Sequence, residues 1–269
     1  MSSQAPTSAV AASATSKSNL SPSPRLPPIQ VLSSTPAKTY AHLHPLIVLS
    51  TYALRFRALV SDPVTGLITT LPVLVVLQIL YVIVCLPTAG TSPGGGSGGA
   101  SAKSRVGGKH KRKDMRPSIG SKLFPAILSV TLPLLLGTPF LSILLVLFGA
   151  PCTTHIPHTI LCAAHMAVLA GTALVYVHGT DGDVWREIWG FARPLDSVWG
   201  ATVGMVLGAW FGAVPIPLDW DRPWQAYPIT IITGAYVGYV VGSWLARTPL
   251  LYGKRIQFAA ADNVREDDV

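Results

Sequence analysis

Three groups of residues in this chain have types and spacings that could do chemistry. Asp219 and Asp221 stand two apart in the run PIPLDWDRPWQAYP, an arrangement in which paired carboxylates can hold a divalent cation. His155 and His158 form an HxxH with His165 further along, a set that could ligate a metal or relay protons. Arg55 and Arg57 lie at the end of an apolar stretch, where a guanidinium pair could hold a lipid phosphate.

Each group also has a plainer reading. Arg222 beside the aspartates offers an internal salt bridge, and no Asp or Glu lies close to the histidines to complete a metal shell. The two arginines can snorkel to the membrane interface, towards Asp62. Cys85, Cys152 and Cys162 are odd in number and lack CxxC spacing, so no disulfide framework or zinc site is implied. The Gly94 to Gly99 run lacks the Lys and Ser/Thr of a phosphate loop, and no Ser/His/Asp arrangement appears. The residues give no catalytic constellation, no metal site and no cofactor.

The elements that carry these residues are apolar. A mean hydropathy of +0.46 and 12% charged residues over 269 positions describe an all-α, multi-pass membrane protein rather than a soluble domain. Six spans are predicted: Ala41 to Val60, Val64 to Leu86, Leu123 to Ala150, His158 to His178, Ser197 to Pro217 and Ala226 to Arg247. The first is the weakest, since it contains His42, His44, Arg55 and Arg57. The third should kink at Pro125, Pro133 and Pro139. Polar groups at mid-membrane are few, namely Gln78, His165 and some Thr.

Residues 1–40, rich in Ser, Ala and Pro, read as a disordered tail with no cleavable signal peptide. A second disordered stretch is expected over 87–122, where a Gly/Ser linker leads into KHKRKDMR. In the 179–196 loop, DVWREIWGF suits a short interfacial helix with Trp185, Ile188 and Trp189 on one face, capped by Asp181 or Asp183. A polar tail covers 248–269.

The net charge of +8 does not imply nucleic acid, because the basic residues lie almost wholly outside the spans. Of 20 Lys and Arg, only Arg55, Arg57 and Arg222 fall on one side of the predicted membrane. The positive-inside rule then places both termini in the cytosol and the LDWDRPWQ hairpin in the lumen.

The fifth and sixth spans carry glycine stripes. Gly200, Gly204, Gly208 and Gly212 recur every four residues, as do Gly234, Gly238 and Gly242, which puts each set on one helical face. In lipid such small-residue faces let backbones approach closely. They predict that the two helices pack on each other or on a partner. Between them, Asp219, Trp220, Asp221, Arg222 and Trp224 form a charged, aromatic hairpin stiffened by Pro215, Pro217, Pro223 and Pro228.

The run GMVLGAWFGAVPIPLDWDRPWQAYPIT resembles the signature of the PIG-F family of endoplasmic reticulum membrane proteins, which act in glycosylphosphatidylinositol (GPI) anchor biosynthesis, including their fungal members. The resemblance extends over about Leu43 to Ala246, with a further match at LFGAPCTTHIPH, and leaves out the low-complexity regions. It implies a non-catalytic subunit that binds and stabilises the large multi-pass GPI ethanolamine phosphate transferases, the partner supplying the active site. The alternative kept beside it is a GPI-lipid transporter or scramblase using Arg55 and Arg57. Contact with membrane lipid, including the GPI precursor, is compatible with either.

Overall fold

In the computed structural model, residues 27–90, 119–218 and 220–255 are described. The tail before residue 27, the basic loop over 91–118, Asp219 and the REDDV terminus lie outside the described residues.

Nine α-helices are formed by the described residues: α1 (Thr35–Leu54), α2 (Phe56–Ser61), α3 (Pro63–Cys85), α4 (Ile119–Leu132), α5 (Thr138–Leu147), α6 (Ile156–His178), α7 (Gly182–Trp189), α8 (Ser197–Ala213) and α9 (Ile229–Leu245). Four helical stretches among them are long and apolar enough to cross a membrane: Pro63–Cys85, Gly120–Leu147, Ile156–His178 and Ser197–Leu218. α9 is apolar but shorter. Large apolar side chains stand exposed on the outer faces, including Phe124, Leu135, Leu136, Leu207 and Phe211. In water this surface would drive aggregation, whereas hydrocarbon matches it. The described residues are those of an all-helical membrane protein.

Local chemistry sets the helix ends. Pro63 opens α3 at a position where its missing N–H costs nothing, and Asp62 Oδ1 accepts from the Val64 and Thr65 amides at 3.1 and 3.2 Å. Hydrogen bonding from Thr65 leads the effects that hold this carboxyl below the usual carboxylate range. Asp196 caps α8 in the same way, accepting from the Val198 and Trp199 amides at 2.9 Å each. Asp181 caps α7 through the Asp183 amide.

α6 is the central helix, packed against α3, α4, α5, α8 and α9. Small residues permit this: a Cβ on Gly171 would fall within 3 Å of the Pro133 ring. Pro133 begins a π-helical segment, Pro133–Gly137, that joins α4 to α5 without interrupting the helix. The expected proline irregularity is thus a widened turn seated on Gly171.

The first helix departs from expectation at both ends. It starts at Thr35, so the polar tail is shorter than 1–40, and residues 29–32 cross the end of the bundle. The Ile29 amide donates to Asp196 Oδ2 at 3.0 Å and the Leu32 amide to the Cys85 carbonyl at 2.9 Å. At the other end the helix breaks at Arg55. Likewise α4 begins at Ile119 within the expected linker, and the C-terminal segment returns to the bundle, where the Lys254 carbonyl accepts from the Leu195 amide at 2.7 Å.

Candidate functional site

α8 and α9 run antiparallel with their glycines facing. A Cβ added at Gly204 would fall inside 3 Å of Gly238 and Gly242, and one at Gly208 inside 3 Å of Gly234 and Gly238. Gly200 meets Gly242 and Ala246, while Gly212 meets Thr230 and Ile231. Most of these contacts are backbone to backbone, so a side chain on either helix would force the pair apart. Close approach of this kind replaces hydrophobic driving force, which is absent between helices in lipid.

The close pairing leaves a groove on the outer side of the two helices. It has a volume of about 740 Å³, a floor along the glycines, and walls that include Val203, Leu207, Val237 and Val241. Trp224 stands at one end and Leu251 at the other. The lining is almost wholly apolar. Such a trough can accept a helix or acyl chains, and offers nothing for bond-making chemistry.

The hairpin closes the α8 and α9 pair through a residue that sequence reasoning did not single out. Gln225 is buried, its Oε1 accepts from the Trp220 amide at 3.0 Å and its Nε2 donates to the Pro215 carbonyl. One amide thereby joins both limbs of the loop. Its only sequence signal was an uncharged polar residue between prolines and aromatics. Trp220 and Trp224 pack with ring centroids 6.0 Å apart and remain substantially exposed. Asp221 has φ +49°, in the left-handed region. The salt bridges of the described residues are Arg186 to Asp183 and Arg193 to Glu187, so Arg222 does not pair with Asp221. Arg55 and Arg57 are exposed, and Asp62 is committed to its capping bonds instead of to them.

The histidines separate. His155 and His158 are neighbours at 5.0 Å between ring centroids, with His155 Nδ1 bonded to Thr154 Oγ1 at 2.8 Å. His165 is buried inside the bundle, with Nδ1 2.8 Å from the Leu161 carbonyl. Among the described residues no three His, Cys, Asp or Glu side chains gather as metal ligands.

The interior is more polar than anticipated. His44 is fully buried and stacks on Tyr81 at 4.3 Å, and Gln78 Nε2 donates to the Tyr239 hydroxyl at 3.3 Å. Nearer the hairpin, Tyr52 bonds Thr233 at 2.7 Å and Tyr227 bonds Thr159 at 2.8 Å. Polar groups on α1, α3, α6 and α9 therefore meet in the bundle's core. Sequence reasoning counted His44 as a defect of the first span, because its Tyr and Gln neighbours lie on distant segments.

Family comparison bears directly on the α8 and α9 hairpin unit. The model of the GPI biosynthesis protein family Pig-F matches residues 43–247, which includes both glycine helices and the loop between them. The chain belongs to the Pig-F family. An Aspergillus fumigatus relative, glycosylphosphatidylinositol anchor biosynthesis protein 11, is 49% identical over 293 aligned positions covering 99% of each chain. The Neurospora crassa protein of the same name is 44% identical, covering 76% of this chain and 72% of its own. A mouse relative, the stabilizing subunit of GPI ethanolamine phosphate transferase, is 32% identical over 43% of this chain and 58% of its own. No solved structure matches the Pig-F chain at a significant level.

Proposed function

We propose that this Pig-F chain is a non-catalytic subunit of the endoplasmic reticulum membrane that binds and stabilises GPI ethanolamine phosphate transferases. The observation that carries the proposal is the apolar groove on α8 and α9, a feature built for packing and without reactive groups. It stands beside a relative whose name states a stabilizing role. In this reading a transmembrane helix of the transferase lies along Val203, Leu207, Val237 and Val241, over the backbone of Gly200 to Gly212 and Gly234 to Gly242. The exposed tryptophans of the hairpin, with Arg222 and the two aspartates, then meet the transferase at the lumenal surface.

The reading assigns six crossings, with α1 and α9 as the first and last and both termini in the cytosol, on the charge distribution given above. Arg55 and Arg57 sit at the lumenal end, placed to reach lipid phosphates there. A lipid-carrier role has less support, because His44 and Gln78 are sealed inside the bundle at 0% exposure and line no opening to lipid.

Site-specific photo-crosslinking tests the assignment. A photoreactive residue at Val237, in the groove, should capture a transferase in native membranes. The same residue at Val76, exposed on α3, should capture mainly lipid. Equal transferase capture from both positions would refute the groove as the docking face.

A further inference from the structure

At the end of the bundle opposite the hairpin there is a second cavity, of about 350 Å³. Its walls come from the first turns of α1, the end of α9, the start of α8 and the 29–31 segment that crosses them. The charged groups lining it are Lys38 and Arg247, with His42 beside them, and no carboxylate is among the lining residues. Gln30, Ser197 and Tyr252 add neutral hydrogen-bonding groups.

Arg247 is held but not satisfied. Pro45 has no N–H to donate to the Ala41 carbonyl one turn back, and Arg247 Nη1 fills that place, donating to Ala41 O at 2.7 Å. Its Nε and Nη2 are shielded from solvent and have no hydrogen-bond partner among the described residues. A guanidinium withdrawn from water without acceptors is costly unless a ligand supplies them. The nearby carboxylate cannot, since Asp196 is engaged by three backbone amides, from Ile29, Val198 and Trp199. A planar donor fork, a neighbouring ammonium and an imidazole around one concave space make a binding site for a phosphate group.

Its position narrows the source of that phosphate. The cavity lies where α1 and α9 reach the membrane boundary, at the same end as Lys122, whose Nζ caps the Ile83 carbonyl at 3.2 Å, and as the exposed Lys254. We infer that Lys38, His42 and Arg247 form a binding site for a phosphate group at this membrane surface, taken from the headgroup of an anionic phospholipid.

Native mass spectrometry of the full-length chain in mild detergent, titrated with phosphatidylinositol, phosphatidic acid or phosphatidylcholine, tests this. The anionic lipids should be retained in preference to phosphatidylcholine. The double substitution Lys38→Gln with His42→Gln, which leaves the Arg247 to Ala41 tie in place and removes the imidazole 3.4 Å from Arg247 Nη1, should lower that preference on the order of fivefold, the effect of one lysine charge. Lys254→Gln, a surface cation of the same end outside the cavity, should leave it unchanged. Thermal melts of the variants establish that they fold alike. If inorganic phosphate binds at least as tightly as the anionic lipids, the cavity is a site for free phosphate, and the lipid assignment is overturned. Absence of any anionic preference, or a preference untouched by the double substitution, would overturn the site itself.

Discussion

Substituting Gly208 by alanine adds one methyl group where α8 and α9 meet backbone to backbone. The new Cβ would press on the Gly234 carbonyl oxygen, its nearest neighbour, and lie 2.8 Å from Gly238 Cα and 2.9 Å from the Gly234 carbonyl carbon, whereas ordinary contact begins near 3.4 Å. The obstruction is backbone on both helices, so no rotamer relieves it. The pair must part there by more than the 0.6 Å between 2.8 and 3.4 Å, because the Gly234 carbonyl oxygen is nearer still. A gap of 0.5 to 1 Å forfeits roughly a quarter to a half of each dispersion contact. Since the helices share a ladder of such contacts, the loss spreads beyond one residue. Overpacking of this kind costs about 1 to 3 kcal/mol. For a chain of this size each kcal/mol lowers the melting temperature by roughly 2 to 4 °C.

Tryptophan-monitored thermal unfolding in detergent reads the change, and Trp199, Trp210, Trp220, Trp224 and Trp244 place reporters on and between the two helices. Gly182→Ala is the control, because a Cβ there meets nothing within 4 Å. A Gly208→Ala melt indistinguishable from that of Gly182→Ala would refute the argument that backbone proximity holds the pair together.

Other substitutions probe separate contacts. Gln225→Ala removes the amide that joins the hairpin limbs, and hydrogen exchange over residues 214–228 should rise by the equivalent of about 1 to 3 kcal/mol; unchanged protection would contradict the pinning role. Asp196→Ala uncaps α8 and releases Ile29, at a cost of about 1 to 2 kcal/mol. Limited proteolysis should then cut near residues 27–34, and resistance equal to wild type would count against the cap. Gly171→Ala drives a methyl group into the Pro133 ring and should lower the melting temperature through the α6 contact with the π-helical turn; an unchanged melt would show that this turn yields freely.

How much could be read beforehand depended on the range of each interaction. The glycine spacing was legible because it is periodic on one helix, and the cap at Asp181 depends on a residue two positions away. The early start of α1 was obscured by its composition, since the Ser, Pro and Lys residues before Ala41 resemble a polar tail, and His42 and His44 read as weaknesses of the first span until Arg247 and Tyr81 are brought beside them. The Arg247 cavity was illegible for the same reason, its partners being a proline-freed carbonyl and residues from separate segments. Gln225 bonds within its own loop, five and ten positions away, where no periodicity announces the contact. Of the two aspartates beside Arg222, Asp219 lies outside the described residues, and Asp221, in a left-handed backbone conformation, does not pair with it.

The central claim is that this Pig-F protein holds a transferase through the α8 and α9 groove. Its most direct test is quantitative co-purification from native membranes, comparing the wild-type chain with a variant whose groove is filled by Val203→Trp and Val237→Trp. Near-stoichiometric recovery of a GPI ethanolamine phosphate transferase is expected with the wild type, and its loss from a variant that is equally abundant and melts at the same temperature. Equal recovery with both chains, or recovery of the wild-type chain alone, would contradict it.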